Sequence, residues 1–189
     1  MNIINYNTQQ ILEPSVITVG SFDGVHLGHQ SLFTQMNNYA KLNNYKSVVV
    51  TFNPHPQEVL QNKPNFFLIN SFEQVLQLFE KFGIDNVYVI PFSEEFSQKT
   101  ATQFFEEDIF SKINVKAIFL GPNHHFGKQR EGDSATLRRI CEKRNIDVVI
   151  AQEFKVDGVE VCSTLIRKYL KENDRTNAEK LMGHNIYNG

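Results

Sequence analysis

Residues 16–30 read Val16-Ile-Thr-Val-Gly20-Ser-Phe-Asp-Gly-Val-His26-Leu-Gly28-His29-Gln30. A short apolar run passes through a glycine-bearing loop into a segment with helical spacing. The run is too short for a helix and is bounded by turn residues, which suits a strand buried on both faces of a sheet. Downstream, within 31–43, Leu32, Met36, Tyr39 and Ala40 fall on one side of a helix. Strand, loop and helix in this order open a βαβ crossover. The loop then lies at the carboxyl end of a strand, where open α/β sheets gather their ligands.

The same alternation continues outward. Apolar or β-branched runs at 47–52, 86–90, 116–120 and 147–151 predict further strands. Between them, Val75, Leu76, Leu78 and Phe79 within 72–82, and Phe104, Phe105, Ile109 and Ile113 within 102–113, predict helices. The expected fold is α/β, a Rossmann-like doubly wound parallel sheet of about five strands with helices on both faces. Beyond it, Asp157-Gly158 between alternating apolar residues predicts a tight hairpin over 155–161. Ser163 or Thr164 is expected to cap a helix running to 172, and Asp174 a last helix through Met182 that Gly183 ends. One domain is therefore expected over 1–183, with a C-terminal helical segment, and no structure of its own over 184–189.

Charge narrows the partners. Nineteen basic and 21 acidic side chains give a formal net charge of -2, so no broad basic footprint is offered to a nucleic acid and phosphate recognition has to be local. Cys141 and Cys162 have no close Cys or His neighbours in sequence; they form neither a disulfide scaffold nor a metal cluster and fit a reducing cytosol. The first residues lack a basic region followed by an apolar run, and no stretch approaches the roughly 18 apolar residues that span a bilayer. The expectation is a cytoplasmic protein that meets small molecules, not nucleic acid or membrane. A homo-oligomer is compatible with the sequence.

The chemistry concentrates in the opening stretch. His26 and His29 are three residues apart at a helix start, where free backbone N–H groups favour anions, and Gly28 leaves room for a nucleotide to approach. No Cys or carboxylate follows at ligand spacing, so the pair is not a zinc site. Asp23 is expected to cap the helix, orient a histidine, or simply make the turn. Arg167 carries a planar fork suited to phosphate oxygens, beside the hydroxyls of Ser163 and Thr164 at another helix start. Pro54 and Pro56 stiffen the loop after the second strand.

His26-Leu-Gly-His29 matches the H-x-G-H signature of the nucleotidylyltransferase superfamily, and the string Gly20 to Gln30 resembles the FMN adenylyltransferase module of bacterial riboflavin kinase/FAD synthetases. Three later segments agree in order: Thr51-Phe-Asn-Pro-His-Pro56, Gly121-Pro-Asn-His-His-Phe-Gly-Lys-Gln-Arg-Glu-Gly-Asp133, and Cys162-Ser-Thr-Leu-Ile-Arg167. The resemblance implies transfer of AMP from ATP to FMN, giving FAD and pyrophosphate, with Mg²⁺ accompanying ATP and no covalent intermediate. It implies His26, His29 and Arg167 as catalytic residues. It implies Gly20, Phe22, Asp23, Gly28, Asn123, Ser163 and Thr164 on the ATP side, and Asn53, Pro54, His55, Pro56 and Phe126 on the FMN side. No side chain is assigned to the metal.

Two departures from the family pattern stand out. An Asp-Phe-Arg-Phe-Gly type of string is Asn123-His124-His125-Phe126-Gly127 here, and Cys162 replaces a Ser. Lys128 and Arg130 read as solvent-facing. Bifunctional members continue into a riboflavin kinase domain, and 184–189 resembles the segment that joins the two, so no riboflavin kinase activity is expected of this polypeptide. Two rival readings are another nucleotidylyltransferase of the superfamily and an inactive flavin- or nucleotide-binding module.

Overall fold

The computed structural model describes residues 1–61 and 66–185. Six strands, β1 (Asn2–Asn5), β2 (Ile11–Val19), β3 (Lys46–Phe52), β4 (Asn86–Ile90), β5 (Ile113–Leu120) and β6 (Asp147–Ile150), form one sheet in the order β1-β4-β3-β2-β5-β6. Every neighbouring pair in it is parallel. From β2 the chain steps outward through β3 and β4, then returns to the other side of β2 for β5 and β6. Strand order therefore reverses between β2 and β5, and the loops leaving their carboxyl ends flank that point.

The connections are helical: α1 (Leu27–Asn43), α2 (Pro56–Leu60), α3 (Phe72–Lys81), α4 (Ala101–Gln103) running directly into a π-helical segment (Phe104–Phe110), and α5 (Ser134–Glu142). The strands sort their side chains with a period of two. Ile17, Val48, Val50 and Tyr88 face the π-helical segment and α5 through Phe105, Ile109 and Leu137. Val16, Val49 and Val87 face α1 and α3 through Phe33, Met36, Leu78 and Phe79. The sheet is thus covered on both faces, as the apolar runs require.

After β6 come a hairpin, β7 (Lys155–Val156) and β8 (Val159–Glu160), and the helices α6 (Ser163–Lys171) and α7 (Arg175–Met182). Ile69, Val161, Ile166, Ala178, Leu181 and Met182 form a separate small core with Leu27 packed against it. Polar contacts brace the same junction. Gln30 Nε2 donates to the carbonyls of Val25 and Met182 at 2.8 and 2.7 Å, and His184 Nε2 meets the Gly24 carbonyl at 2.9 Å. Gly183 ends α7 at φ +68°, and a Cβ there would stand 2.4 Å from Leu27 Cδ2.

The structure corrects several expected elements. Ile113 opens β5 and does not close a helix; its strand alternates buried Ile113 and Val115 with exposed Asn114 and Lys116, which hides the apolar run. β2 starts at Ile11, but Leu12, Glu13 and Pro14 are exposed and break the pattern. β1, α2 and α5 are additional elements; β1 is an edge strand of four residues, and α5 buries only Leu137 and Cys141. Cys162, not Ser163 or Thr164, is the N-cap of α6, and its side chain makes no capping bond. His184, expected to begin a structureless tail, is held against Gly24, while 186–189 lie outside the described residues.

Phe105 is fully buried and packs its ring 5.0 Å from those of both Phe104 and Phe126. Phe105→Ala is expected to lower stability by about 3–5 kcal/mol through lost burial and the cavity left behind. Urea denaturation of the variant beside the parent protein measures it.

Candidate active site

Immediately after β2, Phe22 (φ 51°), Gly24 (φ 87°) and Val25 (φ 38°) take left-handed backbone conformations. Two of the three are unfavourable for a residue with a Cβ, and they persist because Phe22 and Val25 are buried in the α1-side core. The chain is thereby bent so that His26 becomes the N-cap of α1, its Nδ1 accepting from the backbone N–H of His29 at 3.3 Å. With Nδ1 accepting, the neutral ring carries its proton on Nε2. The two imidazoles stack at 3.6 Å with planes 16° apart, and Phe22 presents its ring to His29 at 5.1 Å and 79°.

Burial sets the charge of this pair. It holds His26 down to about 4, assisted by Arg167, and holds His29 well below the ordinary imidazole value, assisted by His26 and His124. At neutral pH both are therefore uncharged hydrogen-bonding groups. His29 Nδ1 is buried and has no hydrogen-bond partner among the described residues. Gly28 sits close to its neighbours, since a Cβ there would lie 3.2 Å from His26 Nδ1 and 3.4 Å from the Val161 carbonyl.

Asp23 neither caps α1 nor touches a histidine. Its carboxylate is 4% exposed, accepts from the backbone N–H groups of Ile69 (3.0 and 3.1 Å) and Asn70 (3.2 Å), and pairs with Arg167 Nη2. Burial pushes this carboxyl upward, and Arg167 and the two amides oppose that push. Arg167 also donates from Nε to the Phe67 carbonyl at 2.9 Å and lies 4.6 Å over the Phe66 ring. Ser163 Oγ donates to the Asp23 carbonyl at 2.9 Å. Its hydroxyl joins α6 to the glycine loop and does not cap its own helix.

Two adjoining cavities open at the switch point. One, ≈ 440 Å³, is lined by His26, His29 and Arg167 and by all of Gly20, Phe22, Asp23, Gly28, Asn123, Ser163 and Thr164. The other, ≈ 600 Å³, has an aromatic wall of Phe52, Phe92, Phe96, Phe104 and Phe126 with Lys99 and Lys128 at its edge. Val19, Gly20, Ser21, Pro56, Gln57, His124, His125 and Arg130 line both. Of the residues expected on the FMN side, Phe126 and Pro56 line the aromatic cavity, and Pro56 the other as well. His55 lines only the smaller cavity; it caps α2, accepting from the Gln57 N–H at 3.0 Å, and its ring lies 4.9 Å from that of Phe66. Asn53 and Pro54 are exposed and line neither.

Lys128 and Arg130 are exposed, yet both border a cavity. The segment folds back through reciprocal bonds between Phe126 and Gly132 at 3.0 and 2.9 Å, which sequence periodicity does not reveal. Asn123 donates to Glu160 at 2.7 Å. Among the described residues no group of three or more His, Cys, Asp or Glu side chains is placed to hold a metal ion, and no helix is long and apolar enough to cross a membrane.

A parallel sheet reversing its order at an H-x-G-H loop, with a buried imidazole pair beside a fixed guanidinium, defines an α/β fold of the nucleotidylyltransferase kind. The chain belongs to the FAD synthetase family, whose sequence model matches residues 8–165. A relative from Buchnera aphidicola subsp. Schizaphis graminum, named bifunctional riboflavin kinase/FMN adenylyltransferase, is 34% identical over 94% of this chain and 57% of its own length. The protein of that name from Escherichia coli (strain K12) is 30% identical over 91% and 55%. The chain thus spans just over half the length of these relatives. A solved structure described as a macrolide-efflux protein from Streptococcus pneumoniae matches with a TM-score of 0.85 at 26% identity, over 98% of this chain and 61% of that one. Pantothenate synthetase from Thermus thermophilus, at a TM-score of 0.56 and 16% identity over 96% and 71%, shares the fold.

The depressed histidines make a pH prediction. A group at about 4 when folded and 6.5 when unfolded contributes stability that is present above 6.5 and lost as pH falls towards 4. For His26 this amounts to about 3 kcal/mol across that window. His26→Asn keeps a capping acceptor and removes the titration. Its melting temperature is expected to fall less steeply than the parent's between pH 6.5 and 4, by differential scanning calorimetry.

Proposed function

We propose that this chain transfers AMP from ATP to FMN, giving FAD and pyrophosphate by direct in-line attack. The observation that carries the reading is the pair of cavities with a common wall: one lined by the imidazole pair, Arg167 and the hydroxyls of Ser163 and Thr164, the other, ≈ 600 Å³, walled by phenylalanines. A flavin stacked among phenylalanines would send its phosphate towards the wall it shares with the nucleotide side. There, an oxygen of that phosphate bonds to the α-phosphorus of ATP as the bond to the bridging α–β oxygen breaks. The bridging oxygen leaves with the electron pair as part of pyrophosphate.

The nucleophile is already an anion, so the site has little need of a general base and great need of positioning and charge stabilisation. His26 Nε2–H and an N–H of His29 are donors at the start of α1, whose backbone N–H groups add a fixed positive end. An arriving polyphosphate accepts from these N–H groups, and its charge raises the basicity of both imidazoles. Arg167, held in plane by Asp23, Phe67 and Phe66, presents a fixed cation on the same side.

Mg²⁺ would accompany ATP. No step above is routed through it. The free state of Cys141 and Cys162 supports a cytoplasmic location for this reading.

The test combines purified chain, FMN, ATP and Mg²⁺, with FAD followed by chromatography and pyrophosphate by a coupled assay. Equal amounts of both products are expected. Binding of both substrates without either product would mark an inactive binding module, and a preference for CTP another transferase. His29→Ala is expected to lower turnover roughly 10²- to 10³-fold with much less effect on substrate affinity, as for loss of a preorganised transition-state donor. Equal losses in affinity and turnover would reassign His29 as a ground-state anchor.

A further inference from the structure

His124 occupies the place where the family pattern carries Phe, within Asn123-His124-His125-Phe126-Gly127. Its ring lies 5.9 Å from that of Phe126 with planes 28° apart, and its backbone N–H donates to the Gly121 carbonyl at 3.2 Å. Phe126 is itself seated on Phe105 and tied to Gly132, so the imidazole stands on a rigid base. The ring borders both cavities. Its Nε2 is buried and has no partner among the described residues.

A buried nitrogen in a position suited to an apolar ring is a liability unless something meets it. Two such orphan imidazole nitrogens border this site, His29 Nδ1 and His124 Nε2. No metal explains them, since no group of three ligating side chains gathers among the described residues. The charged or titratable groups acting on His124 are Arg130 and His125 of its own segment, with His29 across from it on α1. Burial brings its imidazole down to about 4, so it meets a ligand as a neutral ring with one N–H donor.

We propose that His124 is a phosphate-positioning residue, whose Nε2–H donates to a phosphoryl oxygen where the two cavities join. The identity of the phosphate-bearing ligands rests on the adenylyl transfer proposed above. The oxygen belongs either to the phosphate monoester of FMN or to the polyphosphate of ATP. The chemistry is the same, and four ligands separate the sources.

Equilibrium binding of FMN, riboflavin, ATP and adenosine to the full chain would be measured for the parent protein, His124→Phe and His124→Gln. His124→Phe restores the ring of the family pattern and keeps the stack on Phe126, and His124→Gln returns a donor at similar reach. The expected result is about tenfold weaker binding of one phosphate-bearing ligand to His124→Phe, as for loss of a hydrogen bond to a charged group. Its phosphate-free counterpart should be unchanged, and affinity should be partly regained in His124→Gln. Loss confined to FMN assigns the acceptor phosphate; loss confined to ATP assigns the nucleotide.

Equal weakening of FMN and riboflavin and of ATP and adenosine would overturn the inference, as would no change in any of them. A parent protein that binds FMN no tighter than riboflavin, and ATP no tighter than adenosine, would overturn it too. The readout is affinity and not turnover. A chain that makes no FAD therefore refutes the proposed activity and leaves the comparison of ligands decisive for His124.

Discussion

The buried carboxylate of Asp23 is the constraint on which the rest of the site depends. It gathers the backbone N–H groups of Ile69 and Asn70 and the guanidinium of Arg167 onto two oxygens, joining the glycine loop, the segment before α3 and the helix α6. An ion pair this deep is weak evidence for stability, because taking both charges out of water offsets most of their attraction. Its value is geometric. Arg167 is 15% exposed and has its plane fixed from three sides, by Asp23, by the Phe67 carbonyl and by the Phe66 ring. A long cationic side chain that would otherwise sample many rotamers is delivered to the cavity in one orientation.

The same pairing affects the electrostatics of the site. Asp23 offsets the charge of Arg167, and burial keeps His26, His29 and His124 neutral. An enclosed cluster of permanent cations would repel itself. Neutral imidazoles avoid that repulsion, and the charge of a nearby phosphate raises their basicity. For the proposed transfer, in which two anions meet, neutral N–H donors beside the single paired guanidinium supply positive ends of dipoles where the charge builds.

The sheet and the site were not equally legible. The strand interiors declared themselves because they are covered on both faces, which turns sequence into continuous apolar runs such as Val48-Val49-Val50. The flanks of the sheet did not: β1 has two exposed asparagines, and the first half of β5 alternates. In the site, His26 and His29 were readable from spacing at a helix start. The partner of Asp23 was not, because 144 residues separate it from Arg167 and nothing local to either side chain encodes the other. Ser163 was misread as a cap for a similar reason. Its hydroxyl met an acceptor 140 residues away, and a tertiary bond displaced the local one.

Long-range bracing also explains why the glycine loop needs more of the chain than the segments that resemble the family pattern. The loop is strained at Phe22 and Val25, and strain persists only where surrounding contacts over-determine it. From below, Phe22 and Val25 are locked into the α1-side core. From the other side, the Gly24 carbonyl is held by His184 and the Val25 carbonyl by Gln30, which reaches simultaneously to Met182. Gly24 itself stands at φ +87°, where a side chain would be strained, and a Cβ would press on Ile69 Cδ1 at 3.1 Å and Met182 Sδ at 3.2 Å. The end of α7 is therefore structural support for the imidazole pair although it contributes no chemistry. Through Gln30, whose amide bridges the two, the start of α1 and the end of α7 must hold together for His26 to remain the N-cap that orients His29.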